Sequence, residues 1–280
     1  MIPAELHRIY TERIAPLVFA GAVPAETPVL VLVGGQPGAG KSVAIGRLAD
    51  RYPERDIVSI VGDDFRRFHP DYPRVLAADP VAMPRITAEA AGAWTRMAVS
   101  EGVRRSVNML VEGTWRDSAV PLATARQASL AGYFVHAGVI AVPRIMSLVA
   151  TLTRFYDALE AGVVARWTPF DVHESAVAGL PATVRALAGA SAVDRFTVCD
   201  RTGVAYLDGG DDAGGFSARA DAAAAWFELL TERDLSEVER VHLRHDARRA
   251  MSGHARYTAM SAAAQEACDA VQLMLAAWLG

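Results

Sequence analysis

The stretch GGQPGAGKS, residues 34–42, decides the fold. It follows the apolar run VLVLV and precedes a segment with the periodicity of a helix. Its spacing matches G-x-x-x-x-G-K-[ST], the phosphate-binding loop that joins a buried strand to a helix. Glycines let the backbone N–H groups point at phosphate oxygens, and the helix N-terminus adds positive potential. The pattern predicts a nucleoside triphosphate site in an α/β domain.

Each part of this loop has a chemical role in binding a triphosphate. Lys41 supplies a mobile positive charge for the outer phosphates, and the hydroxyl of Ser42 is a candidate ligand for Mg²⁺, which prefers oxygen. We therefore expect Mg²⁺ as the cofactor, with ATP or GTP as the phosphate donor. The predicted nucleotide-binding residues are Gly35, Gln36, Pro37, Gly38, Ala39, Gly40, Lys41 and Ser42.

The rest of the chain alternates between strand-like and helix-like segments. After the strand at 29–34, apolar runs predict strands at 57–61, 107–111, 133–140 and 195–200, the last turning into a hairpin partner at 204–207. Helical patterns lie between them, at about 87–101, 119–131, 144–161, 171–178 and 181–189. This order predicts an α/β, P-loop kinase-like parallel sheet of about five strands with helices on both faces.

The C-terminal part of the sequence contains a linker candidate followed only by helical patterns. The stretch at 208–215 is a linker candidate because of its glycines and aspartates, and helical patterns follow at 217–231, 235–250 and 256–279. We expect a P-loop kinase domain at 1–232 and a helical extension at 233–280. The extension is predicted to pack on the kinase domain through Leu273, Leu275 and Trp278; the alternative is a tethered inhibitory or partner-docking element.

Composition and charge narrow the possible partners. The chain has 280 residues and a formal net charge of −4, and its arginine pairs, such as Arg66–Arg67, are interpreted as solvated or lid-like. A nucleic acid partner is therefore not expected. No apolar run approaches the roughly 18 residues of a membrane span. Cys199 and Cys268 lie far apart, so we expect reduced, buried thiols and a cytoplasmic protein.

Carboxylates follow two of the predicted strands. Asp63 and Asp64 come directly after the second strand, where a kinase needs a base that accepts the proton of an incoming hydroxyl. We assign that role to Asp63 and a helix-capping role to Asp64. Glu112, Thr114 and Arg116 follow the third strand and predict a substrate-binding surface, called the shelf below. Glu112 is also a candidate for holding magnesium through water.

Two arginines could stabilise the transferred phosphate. Arg154 and Arg166 bracket TRFYDALEAGVVARW, a helix and turn that could close over the nucleotide as a lid. The arginine fork can contact two phosphate oxygens at once, which suits both residues to charge stabilisation.

Over about residues 5–207, the motifs occur in an order that resembles the zeta toxins of bacterial toxin–antitoxin systems. They are GGQPGAGKS, DDFRRFHPDY, LVEGTWR, AVPLATARQASLAGY, AVPRIMS, TRFYDAL and ARWTPFDVHE. The resemblance implies a kinase that moves the γ-phosphate of ATP or GTP to the 3′-hydroxyl of the amino sugar of UDP-N-acetylglucosamine, depleting a cell-wall precursor. It also implies a small helical antitoxin partner that blocks the nucleotide site.

The resemblance also assigns roles by position. It implies that Asp63 is the catalytic base and Lys41 the phosphate-loop lysine, and that two arginines contact the γ-phosphate. It implies that Thr114, Arg116 and Thr124 contact the UDP-sugar. Glu89 is the nearest candidate for a substrate-binding glutamate of the family. The catalytic set is Asp63, Lys41, Arg154 and Arg166, and the substrate-binding set is Asp63, Glu89, Glu112, Thr114, Arg116 and Thr124.

Three other readings remain open from the sequence. A kinase for another UDP-sugar or a hydroxylated antibiotic would keep the loop, the base and the arginines. A nucleotide-binding regulatory module without sugar kinase activity would leave Asp63, Arg154 and Arg166 without a joint purpose. A polynucleotide kinase is disfavoured by the acidic net charge.

Overall fold

The computed structural model describes residues 1–52, 56–210, 215–257 and 262–279. These residues form six strands: β1 (Val29–Gly34), β2 (Ile57–Val61), β3 (Asn108–Gly113), β4 (Phe134–Ile140), β5 (Arg195–Cys199) and β6 (Ala205–Gly209). Their α-helices are α1 (Pro3–Ile9), α2 (Ala15–Val18), α3 (Lys41–Ala49), α4 (Gly62–Phe65), α5 (Tyr72–Ala78), α6 (Met83–Arg104), α7 (Ala119–Leu130), α8 (Arg144–Glu160), α9 (Phe170–Ala188), α10 (Gly215–Glu232), α11 (Glu237–Arg256) and α12 (Ala262–Leu279). A π-helical turn (Tyr10–Ile14) joins α1 to α2, and a 3₁₀ turn (Arg66–Phe68) follows α4.

The strands form one sheet in the order β2-β3-β1-β4-β5-β6. The first five are parallel, and β6 pairs antiparallel with β5 through the predicted hairpin. The predicted parallel α/β sheet is therefore confirmed. Because the carboxyl ends of parallel strands share one edge, the segments that follow β1, β2 and β3 meet there.

Side chains on β1 alternate between the two faces of the sheet, as the two-residue period of a strand requires. Leu30 and Leu32 belong to the core beneath α6, α7, α9 and α10. Val31 and Val33 belong to a smaller core beneath α3. Helices therefore cover both faces, and the burial of β1 on both sides explains its continuous apolar run.

A third apolar cluster joins the C-terminal helices to α8. The α11 residues Leu243 and Ala247 are buried in it, and the hydroxyl of Thr153 donates to the carbonyl of Asp246 (3.2 Å). The Tyr156 hydroxyl lies 2.8 Å from His254 Nδ1. Residues of the predicted extension thus pack on the face of α8, the helix that carries Arg154.

Several sequence-based boundaries differ from the structure. The two helices predicted at 171–178 and 181–189 are one helix, α9, which contains Pro181. The predicted break near Gly253 lies inside α11, where the missing side chain admits Tyr156: a Cβ on Gly253 would be 2.5 Å from the tyrosine Cβ. Of the linker candidate, 208–209 belongs to β6, while 211–214 lie outside the described residues.

The predicted packing of the last helix was wrong at Leu273, whose side chain is 73% exposed. The side chains of Leu275 and Trp278 lie outside the described part of the chain. Cys199 and Cys268 are both buried and unpaired, as predicted. None of the described helices is long and apolar enough to cross a lipid bilayer.

Candidate active site

The phosphate loop lies between the end of β1 and the start of α3, as its sequence predicted. Gly38 and Gly40 have φ values of 80° and 89°, in the left-handed region that glycine adopts without strain. The Lys41 ammonium donates to the backbone carbonyls of Gly35 (3.0 Å) and Gln36 (3.2 Å), so its side chain folds back over the loop. The fold of this segment is that of a phosphate nest with its lysine in place.

Lys41 also pairs with the carboxylate that leaves the neighbouring strand. Its Nζ lies 3.6 Å from Glu112 Oε1, and the lysine side chain is only 10% exposed. Burial lowers the pKa of Lys41, while the negative charges of Glu112 and Asp63 oppose that shift. Because β3 pairs with β1, the register of the sheet brings these two side chains together.

The Asp63 carboxylate lies in α4 directly after β2 and is about half exposed. Its Oδ1 accepts from Arg66 Nε at 2.7 Å. Desolvation raises the pKa of Asp63, but the charge and hydrogen bond of Arg66, together with the charges of Arg166 and Lys41, more than offset this. The net shift is downward, so the carboxylate is ionised at neutral pH and can accept a proton.

Arg66 was interpreted from the sequence as a solvated or lid-like arginine, and that interpretation was wrong. Its Nη1 donates to the carbonyl of Pro84 (2.7 Å) and to the hydroxyl of Thr87 (2.8 Å). These contacts anchor the guanidinium to α6, and the anchored guanidinium holds Asp63. An arginine three residues after an aspartate is the local signal for this pair, but the contacts with α6 are long-range.

The capping role predicted for Asp64 is contradicted by the structure. The residue before α4 is Val61, which makes no side-chain cap, and Asp64 Oδ1 instead accepts from Arg166 Nη2 at 2.7 Å. Asp64 therefore links β2 to the segment after α8. This pair spans 102 positions of the chain, so no local pattern could have indicated it.

Both predicted phosphate arginines lie near this carboxylate cluster. Arg154 is on α8, and its Nη2 contacts the Thr168 hydroxyl at 3.4 Å. Burial lowers the pKa of Arg154, and Asp63 opposes the shift. The electrostatic influence of Asp63 on both arginines indicates that all three side chains share one region.

The segment after β3 contains a strained residue that the sequence reading did not assign. Trp115 has a φ of 53°, which is uncommon for a bulky side chain, and its indole packs on Gly34. A Cβ on Gly34 would lie 1.9 Å from Trp115 Cδ2, so only glycine fits there. Thr114 is half-buried and Arg116 exposed on either side of this tryptophan. The packing of Trp115 on Gly34 therefore fixes the path of the chain after β3, where Thr114 and Arg116 lie.

The other two predicted substrate residues lie on helices. Thr124 is on α7 and its hydroxyl donates to the Val120 carbonyl (3.1 Å). Glu89 is exposed on α6, two residues after Thr87. At 100° per residue, Glu89 points to a different side of α6 from the face that contacts Arg66. Across the described residues, no hydrogen bond or ion pair joins Glu89 or Thr124 to the cluster around Lys41.

The donor set at the loop suits a magnesium ion shared with a nucleotide. Ser42 is exposed at the start of α3, and its hydroxyl makes no hydrogen bond within the described residues. Those residues also contain no group of three acidic, histidine or cysteine side chains that could hold a metal ion by itself. This chemistry fits Mg²⁺ bound largely by phosphate and water oxygens, with few protein ligands.

Comparison with known proteins identifies relatives. A family model described as Zeta toxin matches residues 19–211. Toxin zeta of Enterococcus hirae is 28% identical over 186 residues, which are 66% of this chain and 64% of that protein. Toxin PezT of Streptococcus pneumoniae serotype 4 (strain ATCC BAA-334 / TIGR4) is 31% identical over 182 residues, 65% of this chain and 72% of that protein. The match thus spans less than two thirds of the length of toxin zeta.

Solved structures show the same fold. A structure from the PezAT chromosomal toxin–antitoxin system of Streptococcus pneumoniae has a TM-score of 0.73 at 24% identity and covers 90% of this chain and 97% of that one. The complex of AvrRxo1-ORF1 and -ORF2 with ATP has a TM-score of 0.54 at 14% identity, covering 96% and 87%. Since the family model matches well over half of the sequence, this chain belongs to the zeta toxin family.

Proposed function

We propose that this protein is a kinase that transfers the γ-phosphate of ATP or GTP to the 3′-hydroxyl of the amino sugar of UDP-N-acetylglucosamine. The observation that carries the proposal is the meeting of Lys41, Glu112 and Asp63 at the carboxyl edge of three neighbouring strands. The acceptor is inferred from membership of the zeta toxin family, and the chemistry from the cluster itself.

The donor binds through the phosphate loop. The N–H groups of the loop and the start of α3 hold the phosphates, and Lys41 exchanges its carbonyl contacts for phosphate oxygens. Ser42 is a magnesium ligand in this scheme, and Glu112 can hold the ion through water. When bound, Mg²⁺ neutralises phosphate charge and orients the γ-phosphoryl group.

Asp63 is the general base. As the sugar hydroxyl oxygen forms its bond to the γ-phosphorus, its proton passes to the Asp63 carboxylate, and the bond to the β–γ bridging oxygen breaks to release the nucleoside diphosphate. Arg66 acts through Asp63 by holding its carboxylate in place. Lys41, Arg154 and Arg166 stabilise the charge on the moving group.

The acceptor would lie along the shelf after β3 and beside α7. We propose Thr114, Arg116 and Thr124 as contacts for the UDP-sugar, and Glu112 and Glu89 as further acceptor ligands. Trp115 supports this surface because its indole is locked over Gly34.

We further propose a toxin role with a protein antitoxin, acting in the cytoplasm. Relatives of this chain are named toxin zeta and PezT, and the PezAT structure comes from a toxin–antitoxin system. Residues 1–232 would form the kinase domain, and 233–280 would support α8 from the side away from the phosphate loop, rather than inhibit it.

The test is phosphate transfer from ATP to UDP-N-acetylglucosamine with purified protein. We expect acceptor-dependent ADP formation and a product whose phosphate is located on the 3′-oxygen by NMR. Transfer only to another UDP-sugar or to a hydroxylated antibiotic would keep the kinase and replace the acceptor. Nucleotide binding with no transfer to any acceptor would instead favour a regulatory module.

A further inference from the structure

A buried chain of hydrogen bonds lies behind the phosphate loop and is not explained by the catalytic roles above. It begins at Gln36, the second residue of the loop, which is 2% exposed. The two amide hydrogens of Gln36 are donated to the carbonyl of Val142 (3.1 Å) and to the hydroxyl of Ser147 (2.8 Å). The side chain of a loop residue is thereby tied to the start of α8.

The chain continues from Ser147 into α9. His173, fully buried, has Nε2 2.8 Å from the Ser147 hydroxyl and Nδ1 3.0 Å from Glu174 Oε1. Burial raises the pKa of Glu174, but Arg144 and His173 more than offset it, so its carboxylate is an acceptor only. His173 Nδ1 must then donate to Glu174, and burial lowers the pKa of His173, which leaves Nε2 of the neutral ring to accept from Ser147. The single hydrogen of the Ser147 hydroxyl is shared between this nitrogen and the carbonyl of Arg144 (2.9 Å).

Backbone packing brings the loop and α8 into contact at the same point. A Cβ on Gly38 would lie 2.1 Å from the carbonyl oxygen of Ser147 and 2.9 Å from Thr151 Cγ2. The loop therefore rests directly on the first turns of α8, and it has little freedom to change shape without moving that helix. The hydrogen-bond chain runs through this contact.

We propose that Ser147 and His173 are positioning residues. They hold the phosphate loop in its nucleotide-binding shape and fix its position relative to Arg154 and Arg166. Arg154 lies on the same helix as Ser147, and α9 begins shortly after Arg166. One polar chain thus connects the loop that holds the donor with both segments that carry the phosphate arginines. The proposal rests on the nucleotide-binding part of the proposed function, not on the identity of the acceptor.

The test compares ATP affinity, measured by calorimetry with Mg²⁺ present, across single and double variants. Ser147→Ala leaves a buried Gln36 N–H without its partner. His173→Leu breaks the chain between α8 and α9 and leaves the Ser147 hydroxyl only the Arg144 carbonyl as an acceptor. We expect Ser147→Ala to weaken ATP binding roughly fivefold to tenfold, the scale of one unsatisfied buried group. We expect His173→Leu to weaken it about fivefold, because the hydrogen bond that ties Ser147 to α9 is lost. His173→Gln, whose amide oxygen can accept from Ser147, should restore affinity to within about threefold of wild type.

The double variant separates positioning from general destabilisation. Because both residues belong to one chain of contacts, Ser147→Ala with His173→Leu should bind ATP no more weakly than the worse single variant. His136→Leu is the matched control: His136 is equally buried, on β4, and contacts Thr197 and Tyr52 instead of the loop. It should lower the melting temperature to a similar degree and leave ATP affinity within about twofold.

Three results would overturn the proposal: wild-type affinity in His173→Leu, fully additive losses in the double variant, or an equal loss of affinity in His136→Leu. A wild-type protein that binds ATP but does not phosphorylate UDP-N-acetylglucosamine would refute the acceptor alone and leave these comparisons intact. A wild-type protein that binds neither ATP nor GTP would refute both proposals.

Discussion

Replacing Asp63 with asparagine isolates the basicity of this side chain. Asparagine has nearly the same shape, and its oxygen can still accept the hydrogen bond from Arg66 that is 2.7 Å long in the wild-type structure. The ability to take the acceptor proton is lost, together with the charge that pairs with Arg66. We expect turnover to fall by roughly 10²–10⁴, the usual contribution of general acid–base catalysis.

The structure predicts that the same substitution has little effect on stability. The Asp63 side chain is 53% exposed and Arg66 20%, so solvent screens their ion pair and its loss costs at most about 1 kcal/mol. In a chain of this size that corresponds to a fall in melting temperature of about 2–4 °C or less. ATP affinity should survive or rise slightly, because Asp63 is not part of the phosphate nest and its loss removes a negative charge near the triphosphate.

Asp64→Asn is the matched control for this experiment. Asp64 is the adjacent residue, is 50% exposed, and also bonds to an arginine of the site, Arg166, at 2.7 Å. We expect its turnover to stay within about tenfold of wild type, since it positions an arginine and accepts no proton. Single-turnover transfer from labelled ATP, with melting curves and calorimetry for each variant, measures all three quantities. Near-normal turnover in Asp63→Asn, or equal losses in both variants, would refute the assignment of the base.

Three other substitutions test neighbouring parts of the argument. Arg66→Gln removes the strongest cause that lowers the pKa of the Asp63 carboxyl, so that pKa should rise and the acid limb of the pH–turnover profile should move to higher pH. Ser42→Ala should raise the magnesium concentration needed for half-maximal transfer, and EDTA should abolish transfer by the wild-type protein. Gly253→Ala places a Cβ 2.5 Å from that of Tyr156 and should destabilise the packing of α11 on α8 by about 1–3 kcal/mol, measured by urea unfolding.

Each of these three predictions has a control variant or a result that would contradict it. An unmoved acid limb in Arg66→Gln would show that another group limits the rate at low pH. Unaltered magnesium dependence in Ser42→Ala would remove the hydroxyl from the metal site. Gly46→Ala, in a helix position where a new Cβ meets nothing within 4 Å, should be neutral or stabilising by roughly 0.5–1 kcal/mol. If Gly253→Ala increases kinase activity instead, the extension inhibits the enzyme.

The parts of this structure that were predictable from sequence are those governed by local or periodic rules. The phosphate loop follows from its glycine spacing, and the strands follow from apolar runs such as the one at 29–33. Asp63 was predicted as the base because a residue at the carboxyl end of a parallel strand faces the same crevice as the loop. Strand β6 was found because a turn across Thr202–Gly203 returns the chain beside β5.

The unpredicted parts depend on contacts between distant segments. Asp64 pairs with Arg166 rather than capping a helix, and Arg66 is anchored by a carbonyl and a hydroxyl of α6. Two helices were predicted at 171–178 and 181–189, yet α9 is one helix that continues through Pro181, since tertiary packing outweighs the local penalty. Gly253 was read similarly, although it marks a close helix contact.

The lowered pKa of Asp63 is consistent with its role as a base once the nucleotide is considered. Arg66, Arg166 and Lys41 lower the pKa of the Asp63 carboxyl. A bound triphosphate brings several negative charges to the same region and recruits Lys41 and Arg166, which weakens their hold on the carboxylate and raises its pKa. Phosphoryl transfer with a loose transition state needs the acceptor proton removed late, so a correctly placed weak base suffices. In the proposed mechanism the site therefore gains basicity when the donor is bound, and Arg66, tied to α6, keeps the carboxylate in position throughout.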